Sequence, residues 1–274
     1  MAVRNRRALT QRAINGVEQA SHRVNALVRI FVFDDGSSDG TTEMLREEQR
    51  RLDLELIEGN GSAFWAASMA AAESAAFRRH EAPGPEYFLW LNDDVALDED
   101  AFERLLSAAA ERPGRAVVGS TRDPETGSIT YGGFARDGLH PLRYRLVPPK
   151  SEPVEVDTMN GNLVLVPIEV ARLVGGIDGQ YAHALADIDY GLRLARLGMK
   201  AVLAPGTFGT CPRNPPRPRQ AVWVDWRAYL GAKSGGHPRS SARILKKAAP
   251  ATWPFWWMSS YVVWWMRRVR LARH

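Results

Sequence analysis

Apolar and polar positions follow a few clear rhythms along the chain. Residues 28–33 (VRIFVF) form a short apolar run closed by Asp34-Asp35-Gly36, which predicts a buried strand with a turn at its C-terminal end. Helix-forming residues follow from Thr41 to Leu52. Leu54 to Ile57 predicts a second strand and Ala66 to Arg79 an Ala-rich helix. Tyr87 to Leu91 predicts a third strand, ended by Asn92-Asp93-Asp94, and Asp100 to Glu111 another helix. This alternation implies an α/β fold, a mostly parallel sheet flanked by helices. Ligands of such sheets bind beyond the C-terminal strand ends, where both acidic clusters fall.

Further along, Ala116 to Ser120 and Asn162 to Val166 read as strands, with a Gly-, Pro- and charge-rich stretch of hairpins and loops over 121–155. Ile168 to Val174 predicts a short helix. Residues 186–198 predict a helix stopped by Gly198, and Ala201 to Leu203 a last strand. Five prolines within 205–220 predict a loop. The organisation that follows is a body over 1–220, with halves of about 1–120 and 121–220, and a tail over 221–274.

Composition narrows the class. A chain of 274 residues with 45% hydrophobic and 24% charged positions can bury a large core, which excludes disorder as its main state. A single cysteine, Cys211, excludes an intrachain disulfide and suits a reducing compartment. The basic start is followed by no apolar h-region, so no secretory signal is expected. The net charge of +5 is unevenly spread: no acidic residue follows Asp225, while ten Lys and Arg do, leaving the remainder at −5.

The tail therefore needs its own explanation. Five of the nine tryptophans lie between Trp253 and Trp265, with Lys246-Lys247 before the block and Arg267-Arg268 after it. Fourteen helical residues rise about 21 Å, short of the roughly 30 Å hydrocarbon core. Trp and basic residues favour the membrane interface, so the expectation is an in-plane amphipathic anchor, peripheral on the cytoplasmic face of the inner membrane. The body should then survive deletion of residues 242–274. A helix packed on the body or on a dimer partner is the alternative. A nucleic-acid surface is not expected, because Trp and aliphatic residues gather in one block.

Three strings carry candidate chemistry. In Asp34-Asp35-Gly36-Ser37-Ser38-Asp39-Gly40-Thr41, a strand-to-helix turn with Ser38 or Asp39 as cap explains the glycines and Ser38. It does not explain a second carboxylate at the strand end, which can accept hydrogen bonds from a nucleobase or ribose. In Asn92-Asp93-Asp94-Val95, adjacent carboxylates repel, and a cation beside them keeps both ionised. Hard oxygen ligands suit Mg²⁺ or Mn²⁺. In Ala186-Asp187-Ile188-Asp189-Tyr190, Asp187 reads both as a helix N-cap and as a general base for a hydroxyl. His183 reads as a surface-loop residue, Trp65 as core, pocket wall or sugar platform, and Trp90 as core or pocket wall.

In this order and spacing, together with Gly59-Asn60-Gly61, Phe64-Trp65 and Asn160-Gly161-Asn162, the three strings resemble glycosyltransferase family 2 over about residues 2–210. The resemblance implies a GT-A (Rossmann-like) fold and transfer of a sugar from a nucleotide-diphosphate donor, with a UDP- or dTDP-sugar favoured over a GDP-sugar. It implies that Arg4, Asn5, Asp35, Asn60 and Asp93 contact the nucleotide, that Asp94 binds Mg²⁺ or Mn²⁺, and that Asp187 is the catalytic base. Asn160, Gly161, Trp65 and Asp189 would face the acceptor. The segment GNGSAFWAASM resembles rhamnosyltransferase-like enzymes of surface polysaccharide assembly, so the implied acceptor is a glycan or lipid-linked glycan. The sequence departs from the family in three ways. Only Met1, Ala2 and Val3 remain of a first strand, the loop after Leu203 lacks a histidine and has Cys211 nearby, and no Gln-x-x-Arg-Trp string occurs. Two other readings stay open. One is a nucleotidyltransferase, although its Gly-rich N-terminal phosphate loop is missing. The other is a non-catalytic relative acting as a membrane-associated scaffold.

Overall fold

The computed structural model of the chain describes residues 1–79, 86–215 and 218–270. Its elements run β1 (Ala2–Val3), α1 (Arg7–Arg23), β2 (Ile30–Asp34), α2 (Thr41–Glu48), β3 (Leu54–Glu58), α3 (Phe64–Arg78), β4 (Tyr87–Leu91), β5 (Ala96–Leu97) and α4 (Ala101–Glu111). The second half continues with β6 (Val117–Arg122), β7 (Ile129–Tyr131), β8 (Gly133–Arg136), β9 (Tyr144–Leu146), β10 (Val154–Val156), β11 (Thr158–Met159), β12 (Leu163–Pro167), α5 (Ile168–Val174), α6 (Ala186–Arg196) and β13 (Ala201–Thr210). The chain closes with α7 (Val222–Tyr229), α8 (Pro238–Ala248) and α9 (Trp253–Arg270).

Strands β1, β2 and β3 form a parallel sheet in that order. The larger sheet runs β10-β13-β6-β12-β4, with β5 on β13 and β7 on β6. It is mixed: β13 lies parallel to β6, whereas β12 enters antiparallel between β4 and β6. All five residues of β12 (LVLVP) are buried, as both faces of a central strand demand. A small antiparallel sheet, β11-β8-β9, caps one side.

The first strand is short but in place. Its two residues pair with Phe33 and Asp34, and the Met1 amine donates to Phe31 O at 2.7 Å. Helix α1 was not assigned from the sequence, yet Thr10, Ala13, Ile14, Val17, Ala20 and Ser21 bury one face of it at helical spacing. The last strand runs through Pro205 to Thr210, where a loop was expected; this correction has a physical cause. Register shifts between Leu203 and Thr207, and again before Thr210, let the proline sit at an irregularity without breaking the pairing to β6. Positions 216 and 217 of that expected loop, and the basic Arg273, lie outside the described residues.

The segment from 221 onward is not a detached tail. Ile244 and Leu245 of α8 are buried in the body, Ile244 within the same apolar cluster as Tyr190, Leu194 and Trp90. Lys247 pairs with Asp178 at 3.0 Å and Asp189 at 2.6 Å, and Arg243 with Asp178 at 2.8 Å. A cut at 242 would therefore remove core side chains, so the expectation that the body survives it is corrected. In α9 the aromatic rings turn inward: Trp264 stacks on Tyr229 at 5.5 Å, and Trp264 and Trp265 both meet Trp226. Arg268 pairs with Asp225 at 2.7 Å. Outward, Phe255, Met258, Val262 and Met266 are all roughly half or more exposed, at helical spacing along one face. Among the described residues, no helix is long and apolar enough to cross a membrane.

Candidate active site

The site is assembled from six chain segments: the loops after β1, β2, β3 and β4, residues 160–162 before β12, and the start of α6. After β1, Asn5 takes a left-handed backbone (φ 51). Its N–H donates to Ser37 Oγ at 2.8 Å, and its Oδ1 accepts from the Ser38 N–H at 2.7 Å. This joins the first loop to the turn after β2. Two acids of that turn are taken up by nearby backbone donors. Asp34 accepts from Ser37, and Asp39 accepts the Thr41 and Arg7 N–H groups. The N-cap of α2 is Gly40, left-handed at φ 86, not Ser38 or Asp39. Gly36 (φ 71) packs so closely that a Cβ would lie 3.0 Å from Gly61 N.

Asp35 points the other way. Its Oδ1 accepts from the Gly61 and Ala63 N–H groups at 2.9 and 3.1 Å, and its Oδ2 from Phe64 at 3.0 Å. The carboxylate thus sits at the N-terminus of α3, where backbone N–H groups lack helical partners and the dipole favours an anion. Arg4 lies 4.0 Å from the same Oδ2 and donates to Gly61 O. Asn60 Oδ1 accepts from Ser62 Oγ at 2.6 Å. Phe64 holds a left-handed backbone (φ 54), rare for a bulky residue and costly unless the surroundings enforce it.

The second acidic pair lies beyond β4. Arg6 Nη1 donates to Asp93 Oδ1 and to Asp94 Oδ2, each at 3.0 Å. A guanidinium thus relieves the repulsion between the adjacent carboxylates; sequence reasoning missed Arg6, although it directly follows Asn5. Asp93 Oδ2 is buried and has no partner. Burial pushes the Asp93 carboxyl up to about 6, against the pull of Arg6. The Cys211 thiol donates to Asp94 Oδ1 at 3.5 Å, and burial holds it protonated with a pKa pushed up to about 12.

Asp187 is the second residue of α6 and not its cap; the residue before the helix is Leu185, left-handed at φ 81. Asp187 Oδ1 accepts from the Ile188 N–H at 2.8 Å and Oδ2 from the Gly161 N–H at 3.2 Å. Burial raises its pKa, while those amides and the Asn160 side chain pull it back. Gly161 leaves no room for a side chain: a Cβ would stand 2.5 Å from the Trp65 ring. Trp65 Nε1 in turn donates to Asn92 Oδ1 at 2.8 Å, and the Asn92 N–H to Asn162 O at 3.0 Å. A continuous chain of contacts therefore runs from Asp187 through Gly161, Trp65 and Asn92 to the Asp93–Asp94 pair.

Two residues sit differently from expectation. Asp189, two positions after Asp187 and so about 200° around the helix, faces inward. It is fully buried and takes Tyr181 OH at 2.8 Å, Arg193 Nε at 2.8 Å and Lys247 Nζ. It anchors α6 to α8, and full burial leaves it no exposed oxygen for the acceptor contact expected of it. His183 is half-buried, not a surface-loop residue: its Nδ1 accepts from the Trp65 N–H at 3.3 Å and its ring meets Phe64 edge-on. Burial, then the charges of Lys233 and Arg6, lower its pKa.

The carboxylate oxygens of Asp93 and Asp94 suit a hard divalent cation, and the unpartnered Asp93 Oδ2 fits that use. No group of three or more His, Cys, Asp or Glu side chains gathers for a metal among the described residues. Substrate phosphate oxygens and water would have to complete such a site, as Mg²⁺ commonly permits. Cys211, a protonated thiol, does not belong in this set.

Known proteins bear on this geometry in three ways. The profile described as "Glycosyl transferase family 2" matches residues 1–161, which takes in the site as far as Gly161; Asn162, His183, Asp187 and Cys211 lie beyond it. An N-acetylglucosaminyl-diphospho-decaprenol L-rhamnosyltransferase of Mycobacterium tuberculosis is 25% identical over 201 residues, 65% of this chain and 64% of that one. The chain thus spans a little under two thirds of that relative's length. Among solved structures, GalNAc-T7 with UDP, GalNAc and Mn²⁺ aligns with a TM-score of 0.58 at 14% identity, covering 91% of this chain and 51% of that one. S. aureus TarS 1-349 in complex with UDP-GlcNAc aligns at 0.55 and 12% identity, covering 90% and 70%. These likenesses are of fold, and the fold is GT-A. With more than half of its length matched by the profile, the chain belongs to glycosyl transferase family 2.

Proposed function

We propose that this chain is an inverting glycosyltransferase that moves a sugar from a nucleotide-diphosphate donor to a hydroxyl of a glycan or lipid-linked acceptor in surface polysaccharide assembly. The observation that carries this reading is Asp187. Its carboxylate is fixed by the Gly161 and Ile188 amides, on the same wall of contacts that leads to Asp93 and Asp94. Burial raises its proton affinity, which suits a base. In this reading Asp187 takes the proton from the acceptor hydroxyl. The oxygen forms a bond to the anomeric carbon from the side opposite the leaving group, the bond from that carbon to the phosphate oxygen breaks, and a nucleoside diphosphate departs.

The donor end is assigned to Arg4, Asn5, Asp35, Asn60 and Asp93, and the acceptor wall to Trp65, Asn160 and Gly161. A UDP- or dTDP-sugar is the donor class, a choice supported by the UDP-type ligands of the fold neighbours. Mg²⁺ or Mn²⁺ at Asp94 would neutralise the departing diphosphate. Arg6 donates to one oxygen of each carboxylate, and Asp93 Oδ2 has no partner, so Asp93 and Asp94 could hold the ion beside the guanidinium. The lipid-linked acceptor is supported by the name of the mycobacterial relative. The exposed face Phe255, Met258, Val262 and Met266, on a segment rich in Lys and Arg, supports a place at the inner membrane surface. The test is release of nucleoside diphosphate from a panel of sugar nucleotides with and without chelator. Release that needs the divalent ion and falls in Asp94→Ala supports the reading; undiminished release in both conditions removes the metal from it, and no release with any donor rejects it.

A further inference from the structure

Outside the site, two adjoining cavities lie between α7, α9 and the connecting loops. One, of about 690 Å³, is lined by Arg219, Lys233, Ser234, Tyr229 and Trp264 among others. The second, of about 230 Å³, shares Tyr229, Trp264 and Arg268 and adds Val263 and Arg267. Together they make one groove with an aromatic floor, since Tyr229 and Trp264 are stacked there. Arg268 is committed to Asp225 and to Gln220 O. Arg219, Lys233 and Arg267 form no ion pair among the described residues.

The groove runs along α9. Its far end, at Val263 and Arg267, lies on α9, the helix whose outer face carries Val262 and Met266. Its near end is Lys233. The charges of Lys233 and Arg6 both act on His183, which accepts from the Trp65 N–H. An aromatic trough with unpaired cations along it matches a ligand with an apolar chain and an anionic head.

We infer that this groove binds the diphosphate-bearing lipid of the acceptor, with the diphosphate at Arg219 and Lys233 and the chain over Tyr229 and Trp264 towards Val263. The inference rests on the lipid-linked acceptor of the proposed function and names where that acceptor is held. Charge-assisted contacts from two cations select the diphosphate, and the stacked rings take the apolar chain.

The test uses the full chain and farnesyl diphosphate, with binding measured by equilibrium dialysis. Farnesol, inorganic diphosphate and phosphatidylglycerol vesicles serve as competitors. The double variant Arg219→Gln/Lys233→Gln should weaken farnesyl diphosphate at least about tenfold, while Arg219→Lys/Lys233→Arg keeps it. Both positions are exposed, and unchanged melting curves confirm the fold. Farnesol and inorganic diphosphate should each compete weakly, because each offers half of the ligand. No binding of farnesyl diphosphate, equal binding by the glutamine variant, or full displacement by the vesicles would overturn the inference; the last would make the groove a phospholipid head-group site. Nucleoside diphosphate release by the unaltered chain, scored separately, tests the catalytic reading, so one can fail without the other.

Discussion

Glu73 offers a stability prediction with a sign that can be worked out. It lies on α3, 7% exposed, and its Oε2 accepts the Ile177 N–H at 2.5 Å while Oε1 has no partner. Burial raises its pKa from 4.5 to about 7, with Arg193 too weak to offset the desolvation. The folded protein thus holds a proton that the unfolded chain gives up at lower pH. The contribution to stability is fully present below about 4.5, falls as pH rises from there to about 7, and is flat above. A shift of this size corresponds to a loss on the order of 3 kcal/mol across the window. Glu73→Gln keeps an acceptor for Ile177 and removes the titration. Urea unfolding of both proteins at half-unit steps from pH 4.5 to 8 isolates the effect, since every other group cancels in the difference. The variant should gain on the parent by about that amount between pH 5 and 7.5. Parallel curves would refute the argument and place an ionised Glu73 in the folded state at neutral pH.

Three further outcomes follow from the packing. Gly161→Ala should drive the Trp65 ring away from the Asp187 wall and cut turnover by about 10²-fold with little change in the melting curve, since a 1 Å misplacement at a site costs about that much; near-normal turnover would show the wall to be irrelevant. Asp189→Asn strips a buried acceptor from Lys247 and Arg193 and should cost about 3 kcal/mol in urea unfolding, whereas a loss under about 1 kcal/mol would show that α8 is held by apolar contacts alone. Replacing Phe255, Met258, Val262 and Met266 together by serine should release the protein from anionic vesicles without unfolding it; unchanged vesicle binding would assign attachment to the basic residues only.

Much of this architecture was visible in local pattern. Tyr87–Leu91 and Ile168–Val174 fall where expected because each is an apolar run bounded by turn or helix signals. Three kinds of feature were not visible. Arg6 gave no signal of its own, because its role depends on β1 and β4 bringing residues 87 positions apart together. The opposite fates of Asp187 and Asp189 follow from the helix turn, which sends one to the site and the other towards Tyr181 and Lys247. The tail showed its composition but not its facing. The tryptophans suggested a membrane side, yet ring packing on Trp226 and Tyr229 draws them inward and leaves Phe255, Met258, Val262 and Met266 outside. Helix α1 is legible in the spacing of Ala13, Ile14, Val17 and Ala20.

The central claim is that Asp187 is the base of a sugar transfer. Asp187→Asn preserves the side-chain shape and an acceptor for the Gly161 or Ile188 N–H, but it cannot take a proton. Turnover with the best donor and a lipid-linked acceptor, measured beside donor binding by calorimetry, tests the claim directly. The account predicts a fall in turnover of about 10²–10⁴-fold with donor affinity unchanged. Turnover within a few-fold of the parent would contradict it.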